Sequence, residues 1–228
     1  MQKIMFNDRF GLTEAVLDGR KTMTRRVIPA KAIEYILGEF KQEYFDRTLD
    51  VLDSDKKYIE QYYLVEKCGK CFRPGDIVAV AQSYKDCGYD PGMLQRAYVK
   101  KPTLFPELDP YSKLVGWIDL PLKYIKGWIN KMFVLAGLMP HQIRITSVRI
   151  ERLRDISNED CMREGVRKLE SEGNPTMFTF DGWSFKNKVN RCTDSPKEAF
   201  EALFKKLSGK KAWDDNPWVF VYEFELIR

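Results

Sequence analysis

Long hydrophobic runs are missing from this chain: no apolar stretch in its 228 residues approaches the ~18 that a membrane-spanning helix needs. The first ten residues, Met1-Gln-Lys-Ile-Met-Phe-Asn-Asp-Arg-Phe10, lack the hydrophobic core and small-residue cleavage site of a secretion signal. Together these absences predict a soluble cytoplasmic protein with no membrane partner. Histidine is almost absent, represented by His141 alone. Five cysteines, an odd number, argue against a secreted disulfide framework. Cys68-Gly-Lys-Cys71 has the spacing of a zinc knuckle or redox pair. A structural zinc site wants two such pairs, however, and only Cys87, Cys161, Cys192 and His141 remain to supply the second. Gly69-Lys70 between the two cysteines also reads as a plain hairpin turn. Neither a metal nor a cofactor is expected. No internal repeat is present either.

Charge is present in both signs but is unevenly placed. The net charge of +5 makes the chain only mildly basic. Residues 20–31 carry Arg20, Lys21, Arg25, Arg26 and Lys31 with no acid, whereas residues 34–60 carry eight acids against four bases. A polyanion would therefore meet a local patch, which permits a nucleic-acid ligand without demanding one.

That patch lies in the stretch Leu12–Ile28. Leu12, Ala15 and Val16 have helical spacing, and Gly19 can take the left-handed conformation that closes a helix. Thr22, Thr24 and Arg26 then alternate with Met23, Arg25 and Val27 as in a strand. Four cations and two threonines thus share one helix-to-strand corner, the kind of place where function concentrates. The same residues also fit a solvated basic turn.

Further along, residues 31–64 look helical, and Tyr62–Glu66 looks like a strand. Phe72-Arg-Pro-Gly-Asp76 signals a turn leading into the apolar strand Ile77–Ala81. Prolines recur through 84–140 and forbid long helices there. In this region Trp117, Trp128 and Phe133 are interleaved with Lys113, Lys123, Lys126 and Lys131. These aromatics either stack bases or anchor the segment to a core, and anchoring is the favoured role. Ile143–Leu153 reads as a strand whose alternation slips between Ile145 and Val148, which predicts a bulge near Thr146-Ser147.

A short helix follows, with Ser157 as N-cap, Asp160 at the capping-box position and Gly165 as the stop. Glu164 falls in its last turn, where the helix dipole disfavours a negative charge. That placement hints at a role other than helix stability, although a solvated surface glutamate fits as well. Residues 170–194 read as a polar loop carrying Phe178, Phe180 and Trp183. Ser195-Pro-Lys-Glu198 starts a helix running to Gly209. Val219–Ile227 alternates throughout and reads as a central strand.

The corner Gly19-Arg-Lys-Thr-Met-Thr-Arg-Arg26 resembles the signature of the ASCH (activating signal cointegrator homology) superfamily. Pro74-Gly-Asp-Ile-Val78, the strand Ile145–Leu153 followed by Asp155-Ile-Ser157, and the terminal strand Trp218–Leu226 agree with it in order. The chain is especially similar to the longer ASCH proteins of gut bacteria and their phages. The resemblance implies an α+β fold: a small, partly open β-barrel of the PUA-like kind with covering helices. It implies one domain over 1–228, with insertions at about 31–64 and 84–140.

Two functions follow from the resemblance. The first is binding of RNA or a modified nucleotide in a basic cleft at the corner. Arg20, Lys21, Arg25 and Arg26 would form the nucleic-acid-binding face, and Trp183 would stack a base. The second is an amidohydrolase acting on N(4)-acetylcytidine, whose lysine, threonine and glutamate match Lys21, Thr24 and Glu164. A lysine crowded by Arg20, Arg25 and Arg26 is expected to have a lowered pKa. It would activate Thr24 as a nucleophile with Glu164 orienting the amine, and Arg26 would stabilise the oxyanion. Cleavage of single-stranded RNA in the same cleft is a third reading. Lys21 and Thr24, three apart, would face opposite ways on a regular strand, so Lys21 must lie in the turn.

Overall fold

The strand and helix periodicities resolve into an α+β fold. The computed structural model describes residues 1–29, 71–90, 96–99, 116–119, 126–170, 175–183 and 191–227. The expected helical stretch at 31–64, the strand at Tyr62–Glu66 and most of the Cys68–Cys71 turn lie outside the described residues.

The described elements, in chain order, are β1 (Gln2–Ile4), α1 (Leu12–Leu17), β2 (Met23–Val27), β3 (Ile77–Val80), β4 (Arg96–Val99), β5 (Gly116–Asp119), β6 (Gln142–Arg152), α2 (Asn158–Arg163), β7 (Arg167–Leu169), β8 (Met177–Thr179), α3 (Pro196–Ser208), α4 (Lys210–Asp214) and β9 (Trp218–Ile227). Five strands form one sheet in the order β1-β3-β6-β9-β2. β1 and β2 are its two ends, so the sheet is open and does not close into a barrel. β4 pairs with β5 and β7 with β8, each as a two-stranded antiparallel ribbon.

The chain groups into two compact units. One is Met1–Ile4 with Ala79–Pro140; the other is Met5–Val78 with His141–Arg228. The first residues belong with the 79–140 segment for a local reason. The Lys3 ammonium donates to the carbonyls of Lys131, Met132 and Val134 at 3.1, 2.5 and 2.8 Å, and the Ala81 N–H donates to Ile4 O. Among the described residues of this unit, Ala79, Ala81, Val134 and Met139 form a buried cluster, with Tyr84 and Ala136 packed on it. Phe133, an expected anchor, is instead exposed.

In the larger unit β9 is central as expected, antiparallel to both β6 and β2. Its burial does not alternate, because Val219, Phe220, Val221 and Tyr222 are all buried, with both faces covered. The expected bulge is present: Ile145 opposes Phe224 but Ser147 opposes Glu223, leaving Thr146 unpaired. Directly opposed residues share a face, so this one extra residue decides what lies where. One face carries Ile143, Ile145 and Val148 with Phe224, Tyr222 and Thr24. The other carries Arg149 and Glu151 with Val221, Glu223, Met23 and Arg25. Without the bulge Arg149 and Glu151 would share the face of Ile143 and Ile145.

α3 lays Ala199, Phe200, Leu203 and Phe204 inward, an i, i+1, i+4, i+5 stripe. Trp213 of α4 closes against Phe200 and Phe204 at centroid separations of 6.1 and 6.0 Å. Each such aromatic contributes about 1.5–3 kcal/mol by burial. Pro196 takes the first helical position as expected, but the Ser195 hydroxyl makes no capping bond. Ser157 does cap α2, accepting from the Asp160 N–H at 3.1 Å.

Candidate active site

The corner is built by backbone bonds that release Lys21 from strand alternation. α1 stops at Leu17, and Gly19 follows at φ +73°. The Lys21 N–H then donates to Ala15 O at 2.8 Å, and the Thr22 N–H donates to Arg163 O at 3.0 Å. β2 begins only at Met23, so Lys21 precedes the strand, as the facing requirement demanded. Lys21 and Thr24 consequently line the same cavity.

Glu164 arrives from a segment far along the chain as the C-cap of α2. The chain turns away at Gly165, whose φ of +111° strains any L side chain. A Cβ there would also lie 3.0 Å from Leu12 Cδ2 and 3.8 Å from Lys21 Cδ. Glycine therefore lets the end of α2 close on the lysine. Gly165→Ala is expected to lower stability by about 1–3 kcal/mol in a denaturant titration; an unchanged midpoint would show that the loop relaxes freely.

Lys21 is only 2 % exposed, and Glu164 5 %. The Lys21 ammonium donates to Met23 O at 2.7 Å, to Glu164 O at 2.6 Å and to Glu164 Oε2 at 2.6 Å. All three of its hydrogens are thereby used. Burial pushes its pKa below the ordinary lysine range; the Glu164 carboxylate opposes that shift, and the charges of Arg26 and Arg25 add to it. The expected direction holds, but desolvation leads and the neighbouring arginines are minor. Arg20 takes no part, being tied at the surface to Asp18 and Asp181.

Arg25 is not available to a phosphate. Its side chain is 1 % exposed and meets Glu151, Asp160 and Glu164. Arg149 shares Asp160 and Glu151 with it and also pairs with Glu223, to which Arg163 is bonded as well. Asp160, expected to complete a capping box, instead points its carboxylate at these arginines. Arg26, like Arg20, is exposed. It donates to Met5 O at 2.6 Å, lies over the Phe6 ring and pairs with no carboxylate among the described residues. Trp183 is buried and stacked on Phe180 at 4.8 Å, outside the cavity lining, so it presents no platform for a base.

The cavity has a volume of about 330 Å³, within the range of small-molecule sites. Its polar side holds Lys21, Thr24, Arg25, Arg26 and Glu164; its apolar side is Phe6, Leu12 and the α3 residues Phe200, Leu203, Phe204 and Leu207. β2 ends the sheet, which is why residues of both its faces reach one cavity. No family model, curated protein or solved structure matches the chain.

The Thr24 hydroxyl has no hydrogen-bond partner among the described residues. No fully buried side-chain polar atom among them lacks a partner, so this hydroxyl opens to the cavity that Thr24 lines. Cys161, a rival nucleophile by residue type, is buried, and burial pushes its thiol up to about 12. No group of residues that could hold a metal ion occurs among the described residues. Sequence reasoning missed Glu151, Asp160, Arg149 and the α3 wall. The signal that could have found them is charge on Arg149 and Glu151 in a strand otherwise destined for a core.

Proposed function

We propose that the larger unit is a PUA-like domain of the ASCH kind whose cavity binds a modified nucleoside and hydrolyses its amide, with N(4)-acetylcytidine as the substrate to test. One observation carries this reading: Lys21 and Glu164 meet in a buried contact that lines the same cavity as the open hydroxyl of Thr24. In its neutral form Lys21 takes the Thr24 proton, and Oγ1 attacks the amide carbonyl carbon. Arg26 faces the cavity and stabilises the oxyanion. Collapse expels the cytidine N4 amine, which takes the proton back from Lys21 and leaves an ester on Thr24. Water, deprotonated by the same lysine, cleaves that ester to acetate and restores the hydroxyl. Because the base is the neutral amine, kcat/KM rises with pH through the lowered pKa of Lys21.

The site favours a neutral nucleoside over RNA. Of the expected phosphate contacts, Arg20 and Arg25 are held by carboxylates and Lys21 by Glu164, so counterion release would be small. KM for N(4)-acetylcytidine is expected to change by less than about twofold between about 50 and about 300 mM salt. A steep rise would point to phosphate recognition instead. The decisive assay measures release of cytidine and acetate from N(4)-acetylcytidine by the purified protein. No turnover in a folded sample overturns the hydrolase; saturable binding without turnover leaves a modified-nucleoside binder.

A further inference from the structure

Four cations and four anions form a continuous set on one side of the cavity: Lys21, Arg25, Arg149 and Arg163 against Glu151, Asp160, Glu164 and Glu223. Only the pair Lys21–Glu164 and the edge of Arg25 reach the cavity. Arg25 is the link between that pair and the rest. Its NH1 donates to Glu164 Oε1 at 3.2 Å, while Lys21 holds Oε2 at 2.6 Å. Its Nε donates to Glu151 Oε1 at 3.0 Å, and its NH2 donates to Glu151 Oε1 at 2.5 Å and to Asp160 Oδ2 at 2.9 Å.

We propose that Arg25, resting on the hydrolase reading above, is the positioning residue of the site: it holds Glu164 through Oε1 so that Oε2 stays on Lys21, in the cavity that Thr24 also lines. Two features go beyond what a structural ion pair needs. The carboxylate is divided between two cations, one oxygen each, so its rotation about the terminal bond is stopped. Glu151 and Asp160, from two different elements, fix the guanidinium in turn, as a planar fork allows and a point charge does not.

The charge of Arg25 also acts on Lys21 directly. Glu164 opposes loss of the lysine proton, whereas Arg25 and Arg26 favour it. The remaining walls, Met5–Asn7 and α3, place only uncharged side chains on the cavity. Removing the Arg25 charge therefore makes Lys21 keep its proton to higher pH.

The test compares Arg25→Met, Arg25→Lys and Arg149→Met with the wild-type chain. Two readouts are needed: titration of Lys21 by NMR of ¹³Cε-labelled lysine, and the pH profile of N(4)-acetylcytidine hydrolysis. Arg25→Met is expected to move the Lys21 titration and the rising limb of kcat/KM up together, by no more than about a few tenths of a pH unit, since the arginine charges are the smaller influences on Lys21. Its kcat should fall about 10²-fold while KM stays within about threefold, the signature of a group that acts through another. Arg25→Lys keeps the charge but loses the fork, so its limb stays near wild type while kcat falls about tenfold. Arg149→Met removes a partner of Glu151 and Asp160 and is expected to lower thermal stability.

An unmoved Lys21 titration and limb in Arg25→Met overturn the proposal. If Arg25→Met does not fold, wild-type kcat in Arg25→Lys overturns it. If the wild-type chain does not hydrolyse the substrate, the hydrolase reading alone fails, and the NMR titration still decides whether Arg25 governs Lys21.

Discussion

Glu164→Leu is expected to lower the free energy of unfolding by about 3–5 kcal/mol, the cost of breaking a buried pair by removing one partner. Lys21→Met is expected to cost less, about 1–3 kcal/mol. The asymmetry follows from who remains. Without Lys21, Glu164 still has Arg25 at 3.2 Å. Without the Glu164 side chain, the Lys21 ammonium keeps only two backbone carbonyls, Met23 O and the carbonyl of residue 164. The double variant should be more stable than the sum of the two losses predicts, because the second removal relieves an orphaned charge. Urea titrations at neutral pH measure all three; equal losses, or the reverse order, would remove the buried pair as the organising contact.

The pH dependence has a definite sign. Burial holds the folded-state pKa of Lys21 below the ordinary 10.5. Between those two values the unfolded chain binds more protons than the folded one, so this group makes stability rise with pH across that window. In Glu164→Leu the opposing attraction is gone, the window opens further downward, and the deficit against wild type shrinks as pH rises.

Thr24→Val is expected to reduce kcat/KM by at least about 10⁴-fold, as loss of a nucleophile does, while changing stability by less than about 1 kcal/mol. The two effects separate because the hydroxyl has no hydrogen-bond partner among the described residues, and valine suits a strand at least as well as threonine. Binding of the nucleoside should survive. A variant retaining more than about one per cent of wild-type turnover would transfer the attack from Thr24 to a water held by Lys21.

What could be foreseen in the sequence was whatever depended on local chemistry. The stop of α1 before Gly19, the Ser157 cap and the stop at Gly165 each rest on a residue type with a marked conformational preference, and the bulge at Thr146 on a slip in the strand's alternation. The placement of Lys21 ahead of β2 was forced by strand parity alone. What failed depended on distant partners. Arg25 looked like a phosphate ligand because the run 20–31 contains no acid, yet its acids come from β6 and α2, more than a hundred residues away. Trp183 looked free in a polar loop, but Phe180 three residues earlier buries it. The β7–β8 ribbon and the short α4 were too brief for periodicity to reveal. The grouping of the first residues with the 79–140 segment goes with Lys3 reaching the carbonyls of Lys131 and Val134, which no local pattern announces.

The central position of β9 carries a consequence for synthesis. β2 and β6 do not pair with each other; each pairs with β9, which follows the other described strands. During translation the two earlier strands must wait with exposed hydrogen-bonding edges until the ribosome has delivered the intervening residues. Lys21 and Glu164 wait with them. The nascent chain is therefore most prone to aggregate late in its synthesis, and stalling before Trp218 should yield a chain that holder chaperones retain and that lacks the cavity altogether.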